Sequence, residues 1–459
     1  MQRSAVRTLR LLAMLAAAVA LLIPATAAAH SHGKRHQQRH HSKHHGRDHG
    51  YGNQSAPNAL YTTTNGSAPG GNAVIMYTRH ADGTITQTGA PVPTGGAGSA
   101  SEGQPPFGFP IVDSSGSTNI TPDGKLLFVV NSGDNSISSF RTTSAGPVLV
   151  SHVSSGGTLP ISLTSHGNLL YVVNETSANI KGWTFDSSGH LTPIAGSVES
   201  LSVPFNPTNP PDPTKPTGVA AAIGFSPNGH QLVVTIRGLP APNGTIDVFS
   251  VDWHGAAGPA VGHQSPTPNP FGFSFAGQNN LLVSDAGFVA TPSGSAGTPN
   301  DSPPNPADPS QFFGSAASFK LSPSGGLTFK GDFPSGGRAA CWLVVTKDNR
   351  YAFVTNTLAA PAGSAAGIGS GQGVVAAYAI SPHGRLTLLG QTNASPGGFP
   401  GDEALSSDSK YLYVLNPAVI IPGPSHIDVY RIGSGGSLTP IQHVADAILP
   451  NSVSGLGVN

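Results

Sequence analysis

The feature that most constrains this chain is a unit that repeats along it. Residues 121–141 read TPDGKLLFVVNSGDNSISSFR: a tight turn, a hydrophobic strand, an Asn at its end, a polar loop, and a second strand closing on an aromatic. Residues 165–185 (SHGNLLYVVNETSANIKGWTF), 226–249 (SPNGHQLVVTIRGLPAPNGTIDVF) and 407–430 (SDSKYLYVLNPAVIIPGPSHIDVY) repeat it. In the first copy the turn is Pro122-Asp123-Gly124, where Pro presets φ and Gly tolerates a positive φ. A period of about 40–45 residues built from short strands marks a β-propeller blade. The 59 Gly and 42 Pro are then turn residues, and not a sign of disorder.

The expected fold is all-β: a seven-bladed propeller of four-stranded antiparallel blades over residues 58–459. Blades two to seven read in order from residue 108 to residue 443, each with strands a to d from the axis outward. Residues 60–65, 73–78 and 84–88 match strands b, c and d of one more blade that lacks strand a. Residues 450–458 resemble the strand-a segments that begin at Pro216 and Pro270. The C-terminal strand is therefore expected to complete the first blade and close the ring, which removes open sheet edges. Strand direction alternates, so the a–b and c–d turns share one face and the b–c loops and d–a connections share the other. The turns are short; the long excursions (200–215, 238–244, 286–314, 358–373 and 417–425) are b–c or d–a. Loops longer than the fold requires are where binding is expected.

Residues 1–29 read as a signal peptide. Arg3, Arg7 and Arg10 precede an apolar run at 11–23, and Ala27-Ala28-Ala29 fits a small-residue cleavage site. No other stretch is apolar enough to span a bilayer. Export follows as the expectation, to a secreted, periplasmic or cell-envelope location, as a monomer. Residues 30–57 read as a disordered spacer. Its 30–49 tract holds eight histidines, five Lys or Arg, and nothing apolar to bury. His36, His40, His41, His44 and His45 are its candidate metal ligands; capture there would be adventitious, and no dedicated cofactor is expected. Lys plus Arg and Asp plus Glu both number 22, so no basic face argues for nucleic acid; a small molecule or a cell-envelope component is the expected partner. The single cysteine, Cys341, lies in an apolar run and is expected to be a buried small hydrophobe.

At the strand-b segments LLFVVN, LLYVVN, YAFVTN and YLYVLN the chain resembles the seven-bladed lactonase propellers, the 6-phosphogluconolactonase and carboxymuconate-cyclase-like group with its YVTN-type repeats. The resemblance covers about residues 59–458 and implies the propeller fold. It also implies a polar site built from a G-P-R-H stretch opening one strand a, a Glu after a V-x-N-E strand, and an Arg in a later P-R-D-F stretch. Val172-Val173-Asn174-Glu175 keeps the Glu. The stretch Gly157-Thr158-Leu159-Pro160 lacks Arg and His, Gly336-Gly337-Arg338 offers a substitute Arg, and Gly401 stands where the later Arg would be. With two of three elements replaced, a binding or scaffold propeller with its ligand at the long-loop face is the expected function. The alternative is a hydrolase or cyclase on a sugar or muconate-type lactone, with Glu175 as base and Arg338 or Arg237 facing the oxyanion. Asp402 and Glu403 are the candidate ligand-binding carboxylates at the same face.

Overall fold

The computed structural model describes residues 57–99, 114–205, 217–239, 243–286, 314–358, 373–395, 398–418 and 423–459. The expected leader and most of the His-rich segment, with all five candidate metal ligands, lie outside these residues. Every element among the described residues is a strand. Blade 1 consists of β1 (Ala59–Thr63), β2 (Ala73–Arg79) and β3 (Ile85–Pro93), with β29 (Ser454–Val458) paired to β1 as its inner strand. Blade 2 holds β4 (Thr118–Ile120), β5 (Leu126–Asn131), β6 (Ser136–Arg141) and β7 (Val148–Ser154). Blade 3 holds β8 (Pro160–His166), β9 (Leu169–Asn174), β10 (Asn179–Phe185), β11 (Leu191–Pro193) and β12 (Glu199–Ser200). Blade 4 holds β13 (Thr217–Phe225), β14 (Gln231–Leu239), β15 (Asn243–Ser250) and β16 (Val261–Pro268). Blade 5 holds β17 (Pro270–Ala276), β18 (Asn280–Asp285), β19 (Ser315–Leu321) and β20 (Leu327–Pro334). Blade 6 holds β21 (Arg338–Val345), β22 (Tyr351–Leu358), β23 (Val374–Ile380) and β24 (Leu386–Asn393). Blade 7 holds β25 (Asp402–Leu405), β26 (Tyr411–Asn416), β27 (His426–Ile432) and β28 (Leu438–Val444).

Each sheet runs a-b-c-d without a crossover, and the seven form the expected propeller. Two local readings differ. The outer strand of blade 3 is split, with β11 and β12 pairing successive parts of β10. In blade 4 the hairpin reaches further into the expected 238–244 loop, because β14 continues to Leu239 and β15 starts at Asn243. The inner strands touch in the order β4, β8, β13, β17, β21, β25, β29 and back to β4, so the ring is continuous.

Strand b explains why the repeat reads as it does. All six residues of β5 are buried, because one face packs on the blade before and the other on the blade after. Its counterpart at the rim, β7, is exposed or half-buried throughout. The aromatic at the third position of strand b reaches the next blade's c–d turn: the Tyr171 hydroxyl donates to Gly255 O at 2.6 Å and that of Tyr413 to Gly83 O at 3.0 Å. Gly83 has φ 90°, and a Cβ there would lie 2.2 Å from the Tyr411 ring, so only glycine lets that turn sit flat on the aromatic. Cys341 is buried, as expected for a small hydrophobe.

The closing strand is fastened at several points. Asn459 Oδ1 accepts from Ala59 N at 2.8 Å, Arg79 donates to the Asn459 main-chain oxygen, and Val453 and Leu456 are buried among blade 7 and blade 1 side chains. Deleting residues 450–459 strips blade 1 of its inner strand and leaves β1 and blade 7 with open flanks. The expected outcome is loss of the soluble fold or a fall in melting temperature of roughly 10 °C or more, since burying two such side chains alone is worth about 3–6 kcal/mol. An unchanged melting curve for the truncated chain, followed by circular dichroism, would overturn this account of closure.

Candidate functional site

The b–c and d–a face is underlaid by a belt of buried polar side chains. Asn131, at the end of β5, accepts from Thr94 Oγ1 at 2.7 Å and from Asn72 Nδ2 at 2.9 Å, and donates to Ser138 Oγ at 2.9 Å. Asn356 accepts from Ser335 Oγ at 2.5 Å, and Asp285, the same position in blade 5, accepts from Thr267 Oγ1 at 2.8 Å. Thr94 and Ser335 lie in the connection arriving from the preceding blade, and Thr267 at the end of β16, just before that connection. The recurring Asn therefore pins that connection, a structural role.

Nearer the axis, the inner strands meet directly. Trp342 Nε1 donates to Ser114 O at 3.1 Å, and Ser115 N donates to Ala221 O at 3.0 Å, joining blade 2 to blades 6 and 4. The Phe271 ring stands edge-on to Trp342 at 5.2 Å, and the Arg237 guanidinium lies 5.1 Å over the other partner of that stack, Phe271. The adjacent Thr235 hydroxyl donates to Phe271 O, so β14 presents both side chains to blade 5. Arg237 is thus a buried cation on an aromatic platform, carried by strand b of blade 4. Arg338 opens β21 in register with Leu358, and the next residue, Ala339, has a left-handed φ of 53°. Arg338's side chain lies outside what is described. Glu175 is buried in the β9–β10 loop, where its backbone N donates to Leu159 O at 2.8 Å.

Asp402 and Glu403 are neighbours in β25, and strand alternation sends them opposite ways. Asp402 turns toward blade 1: one oxygen accepts from Leu456 N at 2.9 Å and the other from Glu403 N at 2.8 Å. Glu403 turns the other way, toward blade 6, where neither of its carboxyl oxygens has a hydrogen-bond partner. Burial pushes the Asp402 carboxyl up to about 8, with its two backbone donors offsetting part of that. Burial, and then the Asp402 charge, push Glu403 well above the usual carboxylate range. Both are held largely as neutral acids at neutral pH, in the seams on either side of blade 7.

Three acidic groups escaped the sequence reading as possible site residues. Asp285 and Asp332 face each other within blade 5, and burial raises both carboxyls, Asp285 more because Asp332 is beside it. The third is Asp428, on β27, with His426 two residues before it and His443 opposite it on β28. The signal was present as His-x-Asp in strand c with a His on the paired strand, but only the β27–β28 register shows that they converge. On the opposite face a cavity of about 360 Å³ lies between the a–b turns of blades 6 and 7. Its carboxylates are engaged in their own turns, Asp348 with Thr346 Oγ1 at 2.7 Å and Asp408 with Ser406 Oγ at 2.7 Å.

The class this architecture defines is the seven-bladed propeller with four-stranded blades and a closing C-terminal strand. Within that class, the family model for the seven-bladed β-propeller lactonases matches residues 23–205. Solved structures extend the likeness around the whole ring. A Lactobacillus plantarum protein superposes with a TM-score of 0.59 at 16% identity, covering 86% of this chain and 98% of its own. A candidate 6-phosphogluconolactonase from Bacteroides uniformis gives 0.57 at 16% identity, covering 87% and 99%. The periplasmic gluconolactonase of Pseudomonas aeruginosa gives 0.56 at 18% identity, covering 86% and 98%. No curated protein matches by sequence. The resemblance to the seven-bladed lactonase propellers therefore holds in the family model and in the fold.

The raised carboxyls give stability a definite pH dependence. A folded-state value of about 8 for Asp402, against the ordinary unfolded carboxylate, means that the folded chain binds more protons between about pH 4 and 8. Stability is then full at the acidic end of that window and falls as pH rises through it, and Glu403 adds in the same direction. Glu403→Gln removes one such group, by up to about 1.4 kcal/mol per pH unit. The variant should melt close to wild type at pH 5 and above it at pH 8; parallel melting-temperature profiles would contradict the assignment.

Proposed function

We propose that the chain is an exported, lactonase-like propeller that binds a small ligand at the axial end of its long-loop face, as a binding or scaffold protein. The observation that carries this reading is the commitment of the carboxylates at blade 7. Asp402 is directed into the seam with blade 1, where it accepts from two backbone amides, and Glu403 is buried on the blade 6 side; the proposed recognition group is the guanidinium of Arg237, which lies over the Phe271 ring. A guanidinium on an aromatic ring favours a flat, anionic partner such as a carboxylate. Export is supported by the charged and apolar N-terminal segment and by the likeness to a periplasmic protein. Among the described residues no helix is long and apolar enough to cross a membrane.

A hydrolase remains the second reading, because one observation favours it. Glu175 keeps the place of the family's Glu after the V-x-N-E strand and is buried there, on the long-loop face. In that reading Glu175 is the base, with Arg237 or Arg338 stabilising the oxyanion of an opening lactone.

Acid release from sugar and muconate lactones by the purified chain, beside tryptophan fluorescence during titration with the matching sugar acids, separates the two. The binding reading expects hydrolysis at the buffer rate and a fluorescence change from Trp342 that Arg237→Ala weakens about tenfold or more. Turnover well above buffer that is lost in both Glu175→Gln and Arg338→Ala would replace it with the hydrolase.

A further inference from the structure

His426, Asp428 and His443 form a cluster that neither the fold nor the proposed ligand site requires. Asp428 by itself acts as a clamp on the connection from blade 6. Its Oδ1 accepts from Ser395 Oγ at 2.6 Å and its Oδ2 from Ser395 N at 3.1 Å. Blade 4 builds the same clamp, with Asp247 accepting from the Ser202 hydroxyl and from Ser202 N at 2.8 Å. The blade 4 clamp works without the histidines. Thr245 stands two residues before Asp247, where blade 7 has His426, and Gly262 is paired with Asp247, where blade 7 has His443. A histidine one residue on, His263, turns its Nε2 to Gly325 O at 2.8 Å instead. The two histidines of blade 7 are therefore additions to a clamp that is complete without them.

The position of His426 shows what they add. Its side chain is 4% exposed. Nδ1 lies 3.2 Å from Pro424 O, an acceptor, so Nδ1 carries the proton and Nε2 is left with a free lone pair. That Nε2 has no hydrogen-bond partner. It points at Asp428 Oδ2, 3.8 Å away, an atom that cannot donate to it. His443 Nδ1 lies 2.9 Å from Asp428 Oδ1, and the two imidazole rings are 4.4 Å apart. One ligand atom from each residue lies within 4.8 Å of the others. Donors around a tetrahedral zinc, at bond lengths of about 2.0–2.2 Å, stand roughly 3.3–3.5 Å apart. The remaining difference is to be made up by His443, whose side chain is 46% exposed and would exchange its contact with Asp428 Oδ1 for the ion. The Nδ1–H of His426 on a carbonyl, and the Asn416 Nδ2 that donates to Asp428 Oδ2 at 3.3 Å, are the outer contacts that orient such ligands.

We infer that His426, Asp428 and His443 form a binding site for a divalent late transition-metal ion, zinc being the best fit to two imidazoles and a carboxylate. His426 Nε2 and an Asp428 oxygen are the fixed ligands, and His443 closes over the ion from the rim. The half-exposed side leaves a fourth position for water. The site lies in the outer half of blade 7 and is independent of the ligand reading at the axis.

The histidines of residues 30–49 are candidate metal ligands as well, so total stoichiometry does not report on this site. Stability does, because an ion held only by the folded blade raises the melting temperature, whereas one held equally by the folded and unfolded chain does not. Zinc titrated into the full chain at about a hundredfold excess over its Kd should raise the melting temperature by roughly 3–5 °C. His426→Gln and His443→Ala should each abolish the rise, and His152→Ala, in the outer strand of blade 2, should keep it. Cobalt should give visible absorption bands of a four-coordinate site in the wild type that vanish in His443→Ala. If His426→Gln does not fold, His443→Ala carries the test alone, its side chain being half-exposed. No rise with zinc, or a rise that persists in His443→Ala, overturns the assignment.

Discussion

Pairing of β29 with β1 is the contact on which the rest of this molecule depends. A propeller blade has no stable outer surface of its own, since strand b is apolar on both faces and needs a blade on each side. Six complete blades would leave two such surfaces and two inner-strand flanks uncovered. A strand from the far end of the chain, inserted as the inner strand of blade 1, turns an open stack into a closed ring and couples every seam to every other. The fastening at Asn459, Arg79 and Ala59 reinforces the point where chain entropy most opposes closure.

The same demand for two-sided burial explains where the polar groups went. A seam between blades is as dry as a core, so any polar side chain in it must be paired or neutral. The Asn belt, the two Asp–Ser clamps and the tyrosine hydroxyls on neighbouring turns are paired solutions. Asp402 and Glu403 are the neutral solution, with burial raising both carboxyls. Residues that stand out in a charge-poor sequence therefore serve, at blade 7, largely to assemble the blades. Nearer the axis Arg237, Phe271 and Trp342 stack across blades 4, 5 and 6, and at the rim two histidines exceed what a clamp needs.

Legibility in the sequence followed the range of the interaction. The turn Pro122-Asp123-Gly124, the strand LLFVVN and its terminal Asn131 are set by neighbours within a few residues, and each was readable. The split outer strand of blade 3 was not, because it depends on how residues 191–200 settle against β10. Asp402 and Glu403 were readable as charged residues on the long-loop face. Their opposite directions depend on β29 and β21, brought beside β25 only by the closed ring.

The number of blades, the order of strands within them and the strand that closes the ring follow from the linear pattern alone, because repeated turns and two-faced apolar strands admit few other arrangements. Which polar residues meet is settled only once the blades pack. Trp342 finds Ser114 across 228 positions, and His443 reaches Asp428 through a register no local pattern encodes. The chemistry of a propeller lies in contacts between blades and between paired strands. Those distances are fixed by closure and register, whereas the pattern along the chain fixes only what each blade can be.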